Sequence, residues 1–264
     1  MADAFTSSRR LHAARGGEGA RLLVLLHGMG ANHSVWRPLL PLVAEHWNGR
    51  WIAPDFRGHG RSPYEGPYGY GIHAADIAAL ILQEQASEIT LLGHSFGGLV
   101  AALLGGGLFG IKVARVAAVG VKIVWTEAEV AKAREVAQRP ARAFDTREEA
   151  IERYLKISGL FGLIDPSAPE ALIGVREQGE KFFVAFDPRA AGGVGPSVET
   201  LLRLCTAPLR LAAGAADPMV TLADMQRVDA FASLIEGVGH NAHWEAPERV
   251  WRWFADTDAR LARA

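Results

Sequence analysis

Apolar residues along this chain fall into short unbroken blocks separated by stretches with helical spacing. Leu22-Leu23-Val24-Leu25-Leu26 runs into His27-Gly28-Met29-Gly30, and Ile89-Thr90-Leu91-Leu92 runs into Gly93. A block of this length closed by glycine reads as a strand buried on both faces, the habit of parallel sheets. The pattern predicts strands at 21–27, 50–55, 88–93 and about 113–121, with helices near 34–46, 71–86 and 96–106 between them. Residues 5–15 are placed as an antiparallel edge strand, and the later blocks starting at Pro208 and Phe231 as two further strands. Such alternation predicts a mostly parallel central sheet with helices on both faces.

The alternation stops between Ile123 and Arg189. Thr126-Glu127-Ala128-Glu129 has the form of a capping box, and an amphipathic helix should run from it to just before Pro140. A second helix should start in the same way at Thr146, and Phe182-Phe183-Val184-Ala185-Phe186 forms a return segment. The expected division is therefore a core over 1–122, a helical lid over 123–189 and the rest of the core over 190–264.

Composition acts mainly by exclusion. The chain has 264 residues, 49% of them hydrophobic, enough for one large core. A net charge of −1, with no basic cluster, argues against nucleic acid as a partner. Cys205 is the single cysteine, so no internal disulfide can form, and Met1 to Thr6 lack the build of a signal peptide; the cytoplasm is the expected location. Ile89 to Ile111 carries no charged side chain, but its glycines and the His94-Ser95 pair fit a buried strand and helix better than a membrane span. His12, His33, His46 and His73 lack metal-ligand spacing, so no metal site is expected.

The candidate chemistry begins at Gly93-His94-Ser95-Phe96-Gly97-Gly98, where a strand hands over to a helix. Glycines two residues either side of a serine permit a turn too tight for side chains, which lifts the serine clear of the sheet. The backbone N–H of Phe96 and that of Met29, in the glycine-rich loop after the first buried block, would then form a hole for an oxyanion. A serine hydroxyl needs a base, and the base a carboxylate that fixes its tautomer. Asp217, just past the Pro208 block, and His240, after Gly237-Val238-Gly239, can fill these roles. His243 is the rival base; it is read as a helix cap or as packing beside Trp244. His27, His94, Asp55, Arg57 and His59 are read as structural, and Trp125, at the hinge into the lid, either as a residue that lines the pocket and binds substrate or as simple core packing.

With these motifs in the order serine, acid, histidine, and with Asp55-Phe56-Arg57-Gly58-His59-Gly60-Arg61-Ser62 after the second core strand, the chain resembles the α/β-hydrolases from about residue 10 to its end. The resemblance implies an α/β fold with a helical lid inserted after the sixth strand. It also implies an enzyme that cleaves a carboxylic ester of a small molecule through an acyl-enzyme on Ser95, without cofactor, as a monomer or homodimer. Cleavage of a lactone or of a carbon–carbon bond in a diketone, peroxide in place of water, or a ligand-sensing receptor on the same fold are the alternatives.

Overall fold

A computed structural model of the protein describes residues 11–192 and 197–261. Seven strands form the central sheet in the order β1-β3-β2-β4-β5-β8-β9. They are β1 (Ala13–Gly17), β2 (Arg21–Leu26), β3 (Arg50–Pro54), β4 (Glu88–His94), β5 (Arg115–Val119), β8 (Leu209–Gly214) and β9 (Ser233–Ile235). The remaining pair, β6 (Val175–Gln178) and β7 (Lys181–Val184), makes a separate antiparallel hairpin. The edge strand β1 runs antiparallel to β3, while every other neighbour in the sheet is parallel. The edge strand predicted at 5–15 is thus present but shifted, and residues 5–10 lie outside the described residues.

Two cores flank the sheet, as alternation along each strand requires. Leu22, Val24 and Leu26 face α2 (Tyr70–Glu84) and α3 (Phe96–Leu104), together with Ile77, Ile81, Val100 and Leu104. Leu23 and Leu25 face the opposite side, with α1 (Leu40–His46) contributing Val43 and α10 (Pro247–Leu261) contributing Val250 and Phe254. The helix expected near 34–46 is split: His33–Trp36 is a 3-10 turn, and Pro38, which has no N–H to donate, separates it from α1.

Between β5 and β8 lie α4 (Glu127–Ala137), α5 (Arg147–Ile157), α6 (Pro169–Ile173), the β6–β7 hairpin, a 3-10 turn at Pro188–Gly192 and α7 (Val198–Leu202). Thr126 caps α4 with both halves of the capping box in place. The segment is not purely helical, since Gly179 at φ 61° turns β6 back on β7. It also follows the fifth strand among the described residues, not the sixth. After β3 the chain does not extend into another strand, because its backbone folds around the Asp55 carboxylate, which accepts from the amides of His33 and Arg61. Nor does the segment form a separate core: Ile151, Tyr154 and Leu155 of α5 pack in one cluster with Trp36 and Leu39. Two short helices lie between β8 and α10, namely α8 (Leu222–Gln226) and α9 (Ala242–Glu245).

Candidate active site

Parallel strands place their carboxyl ends along one edge, and the loops leaving β2, β4, β8 and β9 meet there. Ser95 sits between β4 and α3 with φ 51° and ψ −116°, a backbone conformation that L residues rarely adopt. The flanking glycines are dictated by backbone contact. A Cβ on Gly93 would stand 2.5 Å from the Gly97 carbonyl, and one on Gly97 would stand 2.2 Å from the Leu26 oxygen. Strand β2 therefore presses directly on the elbow, and the loop that follows it brings Met29 beside Ser95 and Phe96 in one pocket. Neither the Met29 nor the Phe96 amide is bonded to another described residue.

His240 and Asp217 come together from β9 and β8. His240 Nδ1 lies 2.7 Å from Asp217 Oδ2, with the carboxylate fully buried. A carboxylate can only accept, so Nδ1 carries the proton and Nε2 is left bare. The Asp217 side chain also accepts from the Met219 amide at 2.8 Å, which fixes its rotation. The imidazole lies against Gly120, where a Cβ would be 3.3 Å from the ring, and the preceding carbonyl, Val119 O, accepts from the Ser95 amide at 2.8 Å. No hydrogen bond joins Ser95 Oγ to His240 here. In unliganded sites that bond is often long and tightens only with substrate.

His94 does more than pack. Its Nε2 lies 2.9 Å from the His240 carbonyl oxygen, so that nitrogen must donate and the ring supports the backbone of His240. His243 is not a cap: it is buried within α9, its ring 4.6 Å from Trp36 and 4.3 Å from His94. Burial lowers its pKa to about 3 and holds that of His94 well below the ordinary range. Two further contacts hold the loop of His240 and were not apparent from sequence: Asn241 Nδ2 donates to Gly159 O at 2.9 Å, and Glu245 accepts from the Gly239 amide at 2.7 Å. Proximity to His240 in the chain was the only signal for either.

The structural reading of the remaining histidines and charges is supported by their bonds. His27 Nδ1 donates to Gly28 O at 2.8 Å and its Nε2 accepts from Phe56 N at 3.1 Å, which requires a neutral ring; burial lowers its pKa to about 4. Arg57 forms a forked pair with Asp76, both bonds 2.6 Å. Asp55 gathers two histidines that are far apart in sequence, His33 Nδ1 at 2.8 Å and His12 Nδ1 at 3.2 Å. Sequence spacing gave no sign of this His12–His33–Asp55 cluster, whose potential metal-binding atoms lie within 4.8 Å of one another. Burial would raise the Asp55 pKa, but the hydrogen bond from His33 and the adjacent His12 ring hold it well below the carboxylate range.

A cavity of about 170 Å³ opens beside Ser95, walled by Tyr70, Leu99, Val121, Lys122, Trp125 and Val198 among others. Trp125 is among the residues along this cavity, 42% exposed, with its Nε1 donating to Lys122 O at 3.0 Å. Among the described residues no helix is long and apolar enough to cross a membrane.

A sequence model described as the alpha/beta hydrolase family matches residues 23–253. Lipase LipV of Mycobacterium tuberculosis is 27% identical over 168 residues, which cover 61% of this chain and 59% of LipV. Pimeloyl-(acyl-carrier protein) methyl ester esterase of Edwardsiella ictaluri is 39% identical over 85 residues, 32% of this chain and 31% of that enzyme. The chain thus spans less than two thirds of the length of these curated relatives. Among solved structures, E-2-(acetamidomethylene)succinate hydrolase superposes with a TM-score of 0.75 at 20% identity, covering 94% of this chain and 95% of that one. A thermophilic esterase from Thermogutta terrifontis gives 0.68 at 23% identity, covering 94% and 93%. At such identities the likeness establishes the fold alone.

Proposed function

The chain belongs to the alpha/beta hydrolase family, its matched residues covering most of its length, and from that premise we propose that it is a serine hydrolase cleaving a carboxylic ester of a small molecule. Relatives described as lipase and methyl ester esterase support hydrolysis of an ester bond in general. The observation that carries the reading is the 2.7 Å Asp217–His240 bond, made at the same sheet edge as a serine held at φ 51°.

In this mechanism His240 Nε2 takes the proton of Ser95 Oγ as that oxygen attacks the ester carbonyl. The amides of Met29 and Phe96 stabilise the oxyanion, and Asp217 stabilises the imidazolium that forms. The imidazolium returns its proton to the leaving alkoxide, giving alcohol and acyl-Ser95. Water, deprotonated by His240, then releases the acid and restores the serine. No cofactor takes part. His94 holds the His240 backbone while remaining neutral, so it adds no positive charge beside the imidazolium. Residues 123–189 act as a lid: through Trp125 and Ala133 they wall the Ser95 cavity, but the three reacting side chains all come from outside the segment. At about 170 Å³ the cavity is smaller than the roughly 300–1,000 Å³ of pockets that enclose drug-sized ligands, so it suits one modest acyl or alcohol group.

The test is labelling by an organophosphonate. It should add its mass to the peptide carrying Ser95, and Ser95→Ala should lose both the label and turnover of p-nitrophenyl esters by several orders of magnitude. Labelling of another serine, or full activity in the alanine variant, refutes the reading.

A further inference from the structure

We propose that the groove between α4, α5 and β7 is a second substrate compartment, receiving the remote anionic end of the ester, a carboxylate or phosphate, whose carbonyl is attacked by Ser95. The inference rests on the reading of Ser95 given above. A cavity of about 300 Å³ occupies this groove. Its floor is apolar, built from Phe144, Ile157, Val184 and Phe186, and its rim carries Arg139, Arg142 and Arg153, while no lining residue is acidic. Arg139 is paired with Glu135. Among the described residues neither Arg142 nor Arg153 has a carboxylate partner, and the Arg142 guanidinium is held 4.8 Å over the Phe144 ring. Cations left unpaired above an apolar floor form a site for an amphiphile with an oxyanion at one end. The guanidinium fork matches carboxylate and phosphate alike.

The groove and the Ser95 cavity are consecutive along shared walls. On α4, Ala133 lines the Ser95 cavity, and Val136 and Pro140, on the same helix face and in the turn beyond it, line the groove. From Ala133 to Val136 the rise is about 4.5 Å, less than one turn. On the facing 3-10 turn Pro188 lines the groove and Ala191 the Ser95 cavity. The packing between these walls is close, since a Cβ on Gly192 would stand 2.5 Å from the Ala137 methyl. Ile157 of the groove also abuts the loop carrying Met29: a Cβ on Gly30 would meet its Cγ2 at 2.4 Å. The substrate then lies with its carbonyl at Ser95, one arm in the small cavity and the other along α4 toward the arginines, which requires the contact between α4 and the Pro188–Gly192 turn to part on binding.

The experiment compares kcat/KM for matched pairs of esters with and without the charge. On the acyl side these are p-nitrophenyl half-esters of dicarboxylic acids of increasing length against neutral esters of equal length. On the alcohol side they are acetates of ω-phosphorylated alcohols against the plain alkyl acetates. On one side and at one length the anion should raise kcat/KM roughly fivefold or more, through KM, the effect of one or two partly exposed ion pairs. Arg142→Gln with Arg153→Gln should bring the ratio near one, as should added salt. Ser95→Ala protein reads the groove without turnover: it should bind octanoate more tightly than octanol, and the double substitution should erase the difference. Ratios near one in every pair, or a preference that survives the double substitution, overturn the inference. Failure to hydrolyse any ester would refute the Ser95 reading, while the binding comparison would still decide the fate of the groove.

Discussion

Lowering the pH from 7.5 to 5.5 should destabilise the fold by several kcal/mol, roughly 1 for each of five histidines that the structure holds neutral. His27, His59, His73, His94 and His243 are each 3% exposed or less. Burial is the leading cause in every case, lowering His27 to about 4, His73 and His243 to about 3, and His59 and His94 well below the ordinary range. In the unfolded chain each titrates near 6.5. At pH 5.5 the folded protein has taken up almost none of these protons while the unfolded chain holds most of them. That difference favours unfolding by roughly 1 kcal/mol per histidine at pH 5.5 and by almost nothing at pH 7.5. Because the folded pKa values lie below the unfolded ones, stability is complete above about pH 7.5 and is lost as the pH falls through 6.5 toward 4. Carboxylates do not offset this, since they are ionised in both states throughout the window. The loss is comparable with the roughly 5–15 kcal/mol that holds an ordinary domain together. Urea unfolding followed by circular dichroism at pH 7.5, 6.5 and 5.5 measures it, provided m stays constant. His73→Phe isolates one contribution. Neither ring nitrogen of His73 has a hydrogen-bond partner among the described residues, and its ring packs edge-on against Phe56 at 5.5 Å and Phe96 at 5.1 Å, so phenylalanine keeps the packing. The variant should lose roughly 1 kcal/mol less than the parent between pH 7.5 and 5.5. Equal stability at both pH values, or an unchanged loss in His73→Phe, refutes the reasoning.

The other expectations concern the site. Asp217→Asn should cut kcat by about 10⁴-fold with the fold intact, whereas Asp187→Asn, which breaks contacts with Tyr68 and Arg189, should leave kcat within about tenfold; the reverse order would move the acid into the inserted segment. His240→Ala should abolish ester hydrolysis, while His243→Ala, which empties space against Trp36 and His94, should lower stability by roughly 2–4 kcal/mol in urea melts. Should His243→Ala alone abolish hydrolysis in protein of parental stability, the assignment of the base is wrong. Trp125→Ala should change the ranking of p-nitrophenyl esters by acyl length more than it changes the rate of phosphonate labelling at Ser95, and an unchanged ranking would remove Trp125 from the pocket.

Several parts of this molecule were legible before any coordinates. The apolar blocks marked β2, β3, β4, β5 and β8 to within one or two residues, because a strand buried on both faces must be apolar throughout. The β9 block was placed too, although only Ser233–Ile235 is strand. The capping box at Thr126 is a local interaction over four residues and stands as read. The elbow was legible for the same reason: the glycine requirement at 93 and 97 comes from backbone contacts that only one local geometry produces. The strands read from the sequence ahead of the inserted segment number five, as in the structure; the placement after a sixth came with the family resemblance and not from any block in this chain.

What the sequence determined alone, then, is whatever rests on neighbours along the chain: the periodicity of strands and helices, the caps, the serine elbow, and the order of serine, acid and histidine. Only the tertiary structure decided which distant groups share a space. It joined His240 to Asp217 and seated His94 beneath the His240 carbonyl. It also buried His243 away from solvent, gathered His12 and His33 on Asp55, and opened an arginine-rimmed groove beside the Ser95 cavity. The physical reason is that burial and electrostatic partnership depend on distance through space. In a parallel sheet, residues more than a hundred positions apart come within hydrogen-bond reach at one edge.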